Sequence, residues 1–304
     1  MTPLRAHRRS AIAALTIALA ALLSACGDDN GAASGGRLNV VASFYPMAEI
    51  ATRVGGDRVK VTNLTPVGVE PHDVELSSRQ VDKLEDASLV IYLGNDFQPA
   101  VAEIASRRKR DTLDVLDAVP LEKGASETIE ADPHFWLDPT LMSKAADAIT
   151  DALVQLSPPD AEMFRANAAT YERTLSSLDA DFAQGLAQCE RKDLVTSHAA
   201  FFYLARRYGL TQLPIAGLSP EAEPNADRIA QLSDVIKAKG ITTVFYEELV
   251  THKVSETLAR EAGVKTAVLS PIEGLTKDEL DAKKDYVAVM RENLATLRQA
   301  LNCR

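Results

Sequence analysis

The chain has 304 residues, of which 46% are hydrophobic and 25% are charged, and this composition is typical of a globular protein with room for two domains. Its formal net charge of −10 argues against nucleic acid as a partner, because phosphate backbones attract basic surfaces. An acidic surface would instead concentrate cations, although solubility alone also explains such a charge.

The first 25 residues have the features of a secretory signal. Three arginines, Arg5, Arg8 and Arg9, precede an apolar run over residues 11–23, which is shorter than the ~18 residues that a membrane-spanning helix needs. We therefore expect residues 1–25 to be a cleaved signal peptide. Its removal takes away three positive charges and no acid, so the net charge of −10 becomes −13. The Arg8-Arg9 pair leaves Sec and twin-arginine export both open.

The three cysteines of the chain fall into two groups. Leu23-Ser24-Ala25-Cys26 resembles a bacterial lipobox, so we predict that Cys26 is lipidated and holds the protein on the outer side of the cytoplasmic membrane. Residues 26–36 are rich in Gly, Ala, Ser and Asp, which is typical of a flexible tether. In an exported protein Cys189 and Cys303 have a single possible pairing, and we predict a disulfide between them.

From residue 37 onward, short β-branched runs alternate with amphipathic segments. Strands that alternate with helices indicate parallel pairing and an α/β fold. We predict an N-terminal α/β lobe over residues 37–156, with strands at Leu38–Ala42, Val59–Leu64 and Leu89–Leu93 and helices at Met47–Val54, Ser78–Glu85 and Leu141–Leu156.

One long helix is predicted in the middle of the chain. Apolar residues between Asp160 and Gln188 recur at the helical period, and neither glycine nor proline interrupts them before Gly185. At ~1.5 Å per residue this segment would reach ~40 Å, a length suited to bracing two domains. We therefore assign residues 157–190 to a linking helix.

The second half repeats the alternation, which predicts a C-terminal α/β lobe over residues 191–304 and a cleft between the two lobes. The expected strands are Leu194–Thr196, Thr242–Tyr246 and Lys265–Leu269, and the expected helices are Ala199–Tyr208, a segment from Asn225 to Lys239, Lys253–Ala262 and Tyr286–Leu301.

Three histidines and one glutamate are candidate metal ligands. His134 lies in Asp132-Pro133-His134-Phe135-Trp136-Leu137-Asp138-Pro139, which we interpret as a rigid, non-helical loop because its prolines restrict the backbone. His72, His198 and Glu273 follow predicted strands, and ligands of open α/β sheets bind beyond the carboxyl ends of strands. Three imidazoles and a carboxylate suit zinc. No local metal-binding motif is present, so these positions alone leave a hydrogen-bonded core histidine as the alternative.

Other polar and aromatic residues have competing interpretations. Glu247 and Glu248 follow a predicted strand and compete with Glu273 as the fourth ligand. Asp138 could orient an imidazole or cap a helix. The remaining expectations are that His252 is solvated and that the aromatic residues near the site pack around it without touching metal, namely Phe135, Trp136, Phe201 and Phe202.

Four segments resemble the metal-binding segments of the zinc and manganese solute-binding proteins of ABC importers, in the order found in that family. They are Glu70-Pro71-His72-Asp73-Val74-Glu75, the His134 segment, Ser197-His198-Ala199-Ala200-Phe201 and Ser270-Pro271-Ile272-Glu273-Gly274. The resemblance implies two α/β lobes joined by one long helix, with a metal ion held by His72, His134, His198 and Glu273. Manganese-binding relatives have a carboxylate at the position of His198, so the third imidazole favours Zn²⁺ over Mn²⁺. Residues 121–131 contain no histidine, which departs from zinc-binding relatives with a histidine-rich loop.

The function implied by this resemblance is a lipid-anchored, monomeric receptor that binds Zn²⁺ outside the cytoplasm and delivers it to an ABC transporter permease. Such a protein is not an enzyme. Three alternatives are a manganese receptor of the same family, an exported zinc-dependent hydrolase and a surface adhesin stabilised by metal. The hydrolase would need an open coordination position and a general base.

Overall fold

A computed structural model describes residues 36–121, 132–222 and 224–304. The predicted signal peptide, Cys26 and all of the tether except Gly36 lie outside the described residues. Residues 37–304 form one compact unit. Within the described ranges, no helix combines the length and apolar character needed to cross a membrane.

The N-terminal sheet has four parallel strands in the order β2-β1-β3-β4. The strands are β1 (Leu38–Ala42), β2 (Val59–Asn63), β3 (Leu89–Tyr92) and β4 (Asp111–Asp114), and the helices that accompany them are α1 (Tyr45–Gly55), α2 (Ser78–Asp86), α3 (Pro99–Arg107) and α4 (Pro139–Leu156). Val40, Val90 and Ile91 of the central strands are fully buried, because helices cover both faces of such a sheet.

The long helix α5 (Ala161–Leu186) has 26 residues, which corresponds to about 39 Å. Its buried stripe includes Phe164, Leu175, Leu178 and Phe182. This stripe packs against α1 and α4 of the N-terminal half and against α10 (Tyr286–Leu301) of the C-terminal half. One helix therefore braces both halves of the molecule.

The C-terminal sheet also has four parallel strands, in the order β6-β5-β7-β8. They are β5 (Asp193–Thr196), β6 (Thr211–Pro214), β7 (Thr243–Tyr246) and β8 (Lys265–Val268), and the remaining helices are α6 (Phe202–Arg207), α7 (Ala226–Lys239), α8 (Lys253–Ala262) and α9 (Lys277–Asp281). The predicted α/β fold with two parallel sheets and one long helix is confirmed.

Several elements differ from the sequence predictions. Helices α3 and α9 and strands β4 and β6 were not predicted from the sequence. Each of the two strands has four residues with only one leucine, so it lacks an apolar run. Helix α6 begins at Phe202 instead of Ala199, because the Ala199 amide donates to the Gly217 carbonyl at 2.8 Å and stays outside the helix. The loop that carries His134 is not entirely non-helical, since Phe135–Leu137 forms a 3₁₀ turn.

A disulfide joins Cys189, just after α5, to Cys303, just after α10. Backbone hydrogen bonds flank it, from the amide of Arg191 to the carbonyl of Leu301 at 3.1 Å and from Arg304 to Gln188 at 3.0 Å. The end of the chain is therefore fastened to the end of the long helix by both covalent and hydrogen bonds.

Alkylation of the denatured mature protein is expected to label neither Cys189 nor Cys303 before reduction and both after it. The bridge closes a loop between residues 114 positions apart, so its loss should lower the free energy of unfolding by at most about 5 kcal/mol. Denaturant unfolding with and without reductant measures that difference. Two reactive thiols in the unreduced protein would contradict the pairing.

Candidate metal centre

The four candidate ligands meet at one point in the fold. The Nε2 atoms of His72, His134 and His198 lie 3.4, 3.2 and 3.4 Å from Oε1 of Glu273. Nε2 of His134 is also 3.4 Å from Nε2 of His72, and the four donor atoms all lie within 4.8 Å of one another. Each ligand follows the carboxyl end of a strand: β2, β4, β5 and β8, respectively.

These donor separations fit a small tetrahedral ion. In a tetrahedron the distance between two vertices is about 1.63 times the distance from the centre, so zinc bonds of about 2.0–2.1 Å require donors about 3.3–3.4 Å apart. The four separations given above, from 3.2 to 3.4 Å, match this requirement. The donor set is therefore arranged for a cation with short bonds.

Three buried polar atoms at this point have no hydrogen-bond partner. They are Nε2 of His198 and both carboxylate oxygens of Glu273. A buried polar atom without a partner costs roughly 1–3 kcal/mol, and more when the group is charged. A cation bound to these atoms would remove that cost, so the chemistry of the site fits a metal ion.

Asp132 holds the His134 ring in place. Its Oδ1 accepts a hydrogen bond from the His134 backbone amide at 2.9 Å and lies 2.8 Å from Nδ1 of the ring. This contact leaves Nε2 directed at the other ligands, as is usual for metal-binding histidines. Tyr203 in turn donates to the Asp132 carbonyl at 2.9 Å. This role of Asp132 was not predicted from the sequence, where its position two residues before His134, across a proline, was the available signal.

Glu247 orients His198 in the same manner. Its Oε1 lies 2.5 Å from Nδ1 of His198 and also accepts a hydrogen bond from the Ser197 hydroxyl. Strand pairing explains the contact, because Val195 of β5 lies opposite Val244 of β7. His198 comes three residues after Val195, and Glu247 comes three residues after Val244. In the structure Glu247 therefore contacts the nitrogen of His198 that faces away from the other three ligands.

Hydrogen bonds to the backbone and an aromatic contact hold the His72 loop. The His72 amide donates to Oε1 of Glu70 at 3.1 Å. Gln98 donates to the Pro71 carbonyl at 3.1 Å, and the Phe97 ring packs edge-on against the imidazole with centroids 4.5 Å apart. These contacts fix the backbone and the ring plane of this ligand.

Glu273 is positioned by a strained backbone turn. The preceding residue, Ile272, has φ of 56°, a conformation that is rare for a β-branched residue and costs of order 1–3 kcal/mol. Asn293 holds the turn through two hydrogen bonds to the backbone of Ser270, at 2.9 and 2.7 Å. The Trp136 indole donates to the Pro271 carbonyl at 2.7 Å, which ties this turn to the segment that carries His134.

Burial and charge together set the protonation of the site. Burial opposes ionisation of Glu273, but the charges of His198 and His72 outweigh it and hold the pKa of Glu273 well below its usual range. Burial also acts to lower the pKa of the two buried histidines, His134 and His198. The carboxylate of Asp132 outweighs this effect and raises the pKa of His134. Glu247 and Glu273 together raise the pKa of His198 well above its usual value. Burial and the charge of Glu273 raise the pKa of Glu70 to about 10.

The other residues considered from the sequence have structural roles. Asp138 caps α4, since its Oδ1 accepts from the Thr140 amide at 2.8 Å. His252 is half exposed and packs against Tyr246. Phe135, Trp136 and Phe201 are buried in the apolar core, and Phe202 packs against it.

Comparison with known proteins places this chain in a described family. The family described as ZnuA, zinc-uptake complex component A periplasmic, matches residues 40–300, a range that includes all four candidate ligands. The chain belongs to this family. A member from Bacillus subtilis, the high-affinity zinc uptake system protein ZnuA, is 34% identical over 299 residues, which cover 92% of this chain and 94% of the relative.

Two further comparisons involve AdcA of Streptococcus pneumoniae. The zinc-binding lipoprotein AdcA is 38% identical over 304 residues, which cover 95% of this chain and 60% of the relative. The crystal structure of Zn(II)-bound AdcA superposes with a TM-score of 0.77 at 40% identity, over 88% of this chain and 58% of that one. The chain thus spans about three fifths of the length of AdcA.

Proposed function

We propose that this chain is an extracytoplasmic receptor that binds Zn²⁺ through His72, His134, His198 and Glu273 and delivers it to an ABC transporter permease. The observation that carries the proposal is the set of 3.2–3.4 Å separations among these donor atoms. Membership of the zinc-uptake family supports delivery to a permease. The names of AdcA and ZnuA, both zinc proteins, support the choice of metal.

Zinc is favoured over manganese by the chemistry of the donors. Imidazole is a good ligand for Zn²⁺, whereas Mn²⁺ prefers oxygen donors in octahedral sites and binds most weakly in the divalent series. Four donors at tetrahedral separations would have to spread to accept a larger ion with more ligands. The same closed set argues against a hydrolase, because catalytic zinc keeps one position open for water. We therefore infer a binding protein and not an enzyme.

Metal analysis of the purified protein tests the proposal. Metal-free protein mixed with equal concentrations of Zn²⁺ and Mn²⁺ and then desalted is expected to retain one zinc per chain. Retention of manganese in its place, or of neither metal, would contradict the proposal. Delivery is tested in a strain that lacks the chromosomal copy, where the intact gene is expected to restore growth in zinc-depleted medium.

We also propose that the mature protein begins at Cys26, after cleavage of residues 1–25, and that residues 26–36 tether a monomer to the membrane. Two acyl chains on one cysteine supply the two anchoring signals that stable attachment needs. In this proposal the tether precedes lobes over residues 37–156 and 191–304, which residues 157–190 join.

Cys26→Ala is expected to abolish lipid attachment, so that the protein is either released from the membrane or left unprocessed. Fractionation of cells and the mass of the protein measure both outcomes. Cys303→Ser serves as the control, since it also removes a cysteine and should leave the variant on the membrane. Unchanged retention and unchanged mass of the Cys26→Ala protein would contradict the anchor.

A further inference from the structure

A run of four basic residues lies at one edge of the N-terminal sheet. Residues 107–110, Arg-Arg-Lys-Arg, lead from the end of α3 to the start of β4, and we call them the basic segment. They line a groove of about 420 Å³ together with Val81, Glu85 and Ile104 of α2 and α3. The groove is thus lined by four basic residues and one acidic residue, although the whole chain has a net charge of −10.

Three of the four cations have no carboxylate partner. Arg107 pairs with Glu103 and lies in the last turn of α3, where the helix dipole favours a cation. Within the described ranges, Arg108, Lys109 and Arg110 form no ion pair with a carboxylate. Arg110 instead donates to a backbone carbonyl, that of Asp86, at 2.9 Å. Lys109 and Arg110 are also exposed, so their charges are available to a partner outside the chain.

Arg108 supplies further positive charge that its neighbours do not neutralise. Its Nη2 donates to the Ala87 carbonyl at 2.9 Å, but its Nε and Nη1 are buried and have no hydrogen-bond partner among the described residues. Burial and the charge of Arg110 lower the pKa of this guanidinium, and the carboxylates of Asp111 and Glu85 do not fully offset them. An anion in the groove would stabilise this charge, and guanidinium groups bind phosphoryl oxygens especially well.

The basic segment and the proposed tether meet the N-terminal sheet at the same edge. All four strands are parallel, so their amino ends lie together. Val40 of β1 is level with Leu89 of β3, which is level with Asp111 of β4. Arg110 therefore lies two strand spacings, or about 10 Å, from Asn39 near the start of β1.

The metal centre lies at the opposite edge of this sheet. His72 and His134 follow the carboxyl ends of β2 and β4. The 11 residues from Cys26 to Gly36 span at most about 40 Å even when fully extended. A lipid on Cys26 would therefore keep the amino edge of the sheet, with its basic segment, close to the membrane.

We propose that the basic segment docks on the phosphoryl groups of anionic phospholipids in the membrane to which Cys26 tethers the chain. This inference rests on the lipid anchor of the proposed function and not on zinc binding. A tether keeps the segment at a high local concentration near the lipids, so contacts too weak to hold a free protein are sufficient. The docked receptor has its metal centre turned away from the bilayer, toward the solution from which the ion arrives.

Lysine footprinting of the mature, lipid-modified protein tests the docking. The protein is anchored through Cys26 to vesicles of phosphatidylcholine alone or of phosphatidylcholine mixed with phosphatidylglycerol, which is anionic. Lysines are then acetylated briefly, and mass spectrometry gives the rate at Lys109. Lys277 of α9 is the internal reference, because its side chain is 78% exposed and it follows the metal ligand Glu273 in the chain.

We expect acetylation of Lys109 to be about three- to tenfold slower on the anionic vesicles, with Lys277 unchanged. High salt should remove this protection, because it screens exposed charges. Arg110→Gln should lose at least about half of the protection. Arg260→Gln is the control, since it makes the same change in net charge at an exposed position of α8 and should keep the protection.

Equal acetylation of Lys109 on the two kinds of vesicle would overturn the docking, as would equal losses of protection in Arg110→Gln and Arg260→Gln. Inorganic phosphate added at constant ionic strength to the protein on neutral vesicles separates a lipid from a free anion. Protection of Lys109 by phosphate alone would indicate a site for free anions and would also overturn the docking. Failure of the wild-type protein to stay on neutral vesicles would instead overturn the proposed lipid anchor.

Discussion

Replacement of His134 by alanine is expected to weaken zinc binding by more than roughly a hundredfold, since loss of a residue that only orients a ligand already costs about 10- to 100-fold. The variant loses one of four ligands and the ring that Asp132 holds at 2.8 Å. The fold should survive, because the cores around both sheets and α5 do not depend on this side chain. Calorimetric titration measures the affinity, and circular dichroism checks the fold.

His252→Ala is the matched control, because this histidine is half exposed and lies away from the ligand group. Zinc affinity that is unchanged in His134→Ala would contradict the assignment of His134 as a ligand.

The fourth ligand is tested by comparing Glu273→Ala with Glu247→Ala. Both should weaken binding, and Glu273→Ala should do so more. A larger loss of zinc affinity in Glu247→Ala than in Glu273→Ala would indicate that Glu247 is the fourth ligand.

Acid is expected to release the metal, starting above the ordinary histidine pKa of 6.5. The carboxylate neighbours of His134 and His198 raise the pKa of both rings in the metal-free protein, so zinc has to displace protons from them. Below the raised pKa of a ring, each proton that zinc displaces weakens zinc binding about tenfold for every unit that the pH falls. Where both rings are protonated, the affinity falls about a hundredfold per unit. The pKa of Glu273 is lowered, so this carboxylate stays ionised through that range.

The same shifts fix the sign of the effect on the metal-free fold. A raised pKa means that the folded protein holds these protons more tightly than the unfolded chain does, so protonation stabilises the metal-free fold below about pH 6.5. That stabilisation is lost as the pH rises through the raised values. Zinc affinity measured from pH 5 to 9 tests the first effect, and denaturant unfolding of the metal-free protein tests the second. Zinc affinity that does not change between pH 8 and 6 would contradict both raised pKa values.

The sequence predicted the parts of the fold that are buried. The central strands β1 and β3 consist largely of β-branched and other apolar residues, and α5 has a regular helical period, so each produced a clear pattern. The edge strands β4 and β6 are short and partly exposed, and the five-residue helix α9 is too short for a periodic pattern. β4 (DTLD) and β6 (TQLP) each contain one leucine among residues that give no apolar run, so neither produces a strand pattern.

The structure brings together the four ligand positions that strand ends and the family resemblance suggested. The sequence did not predict what orients them. The contact between Glu247 and His198 depends on which strands are neighbours, because only the pairing of β5 with β7 brings the two side chains level. The φ of 56° at Ile272 is also invisible in the sequence, since a β-branched residue gives no warning of it.

Trp136 gives the protein an optical probe of its own metal centre. It is the only tryptophan in the chain. Its ring lies 5.1 Å from the His134 ring, and its indole nitrogen bonds to Pro271, two residues before Glu273. Protonated imidazole quenches indole emission, whereas a zinc-bound ring carries no proton on the coordinating nitrogen. Binding of a metal ion at the candidate site should therefore change the intrinsic fluorescence of the unlabelled protein.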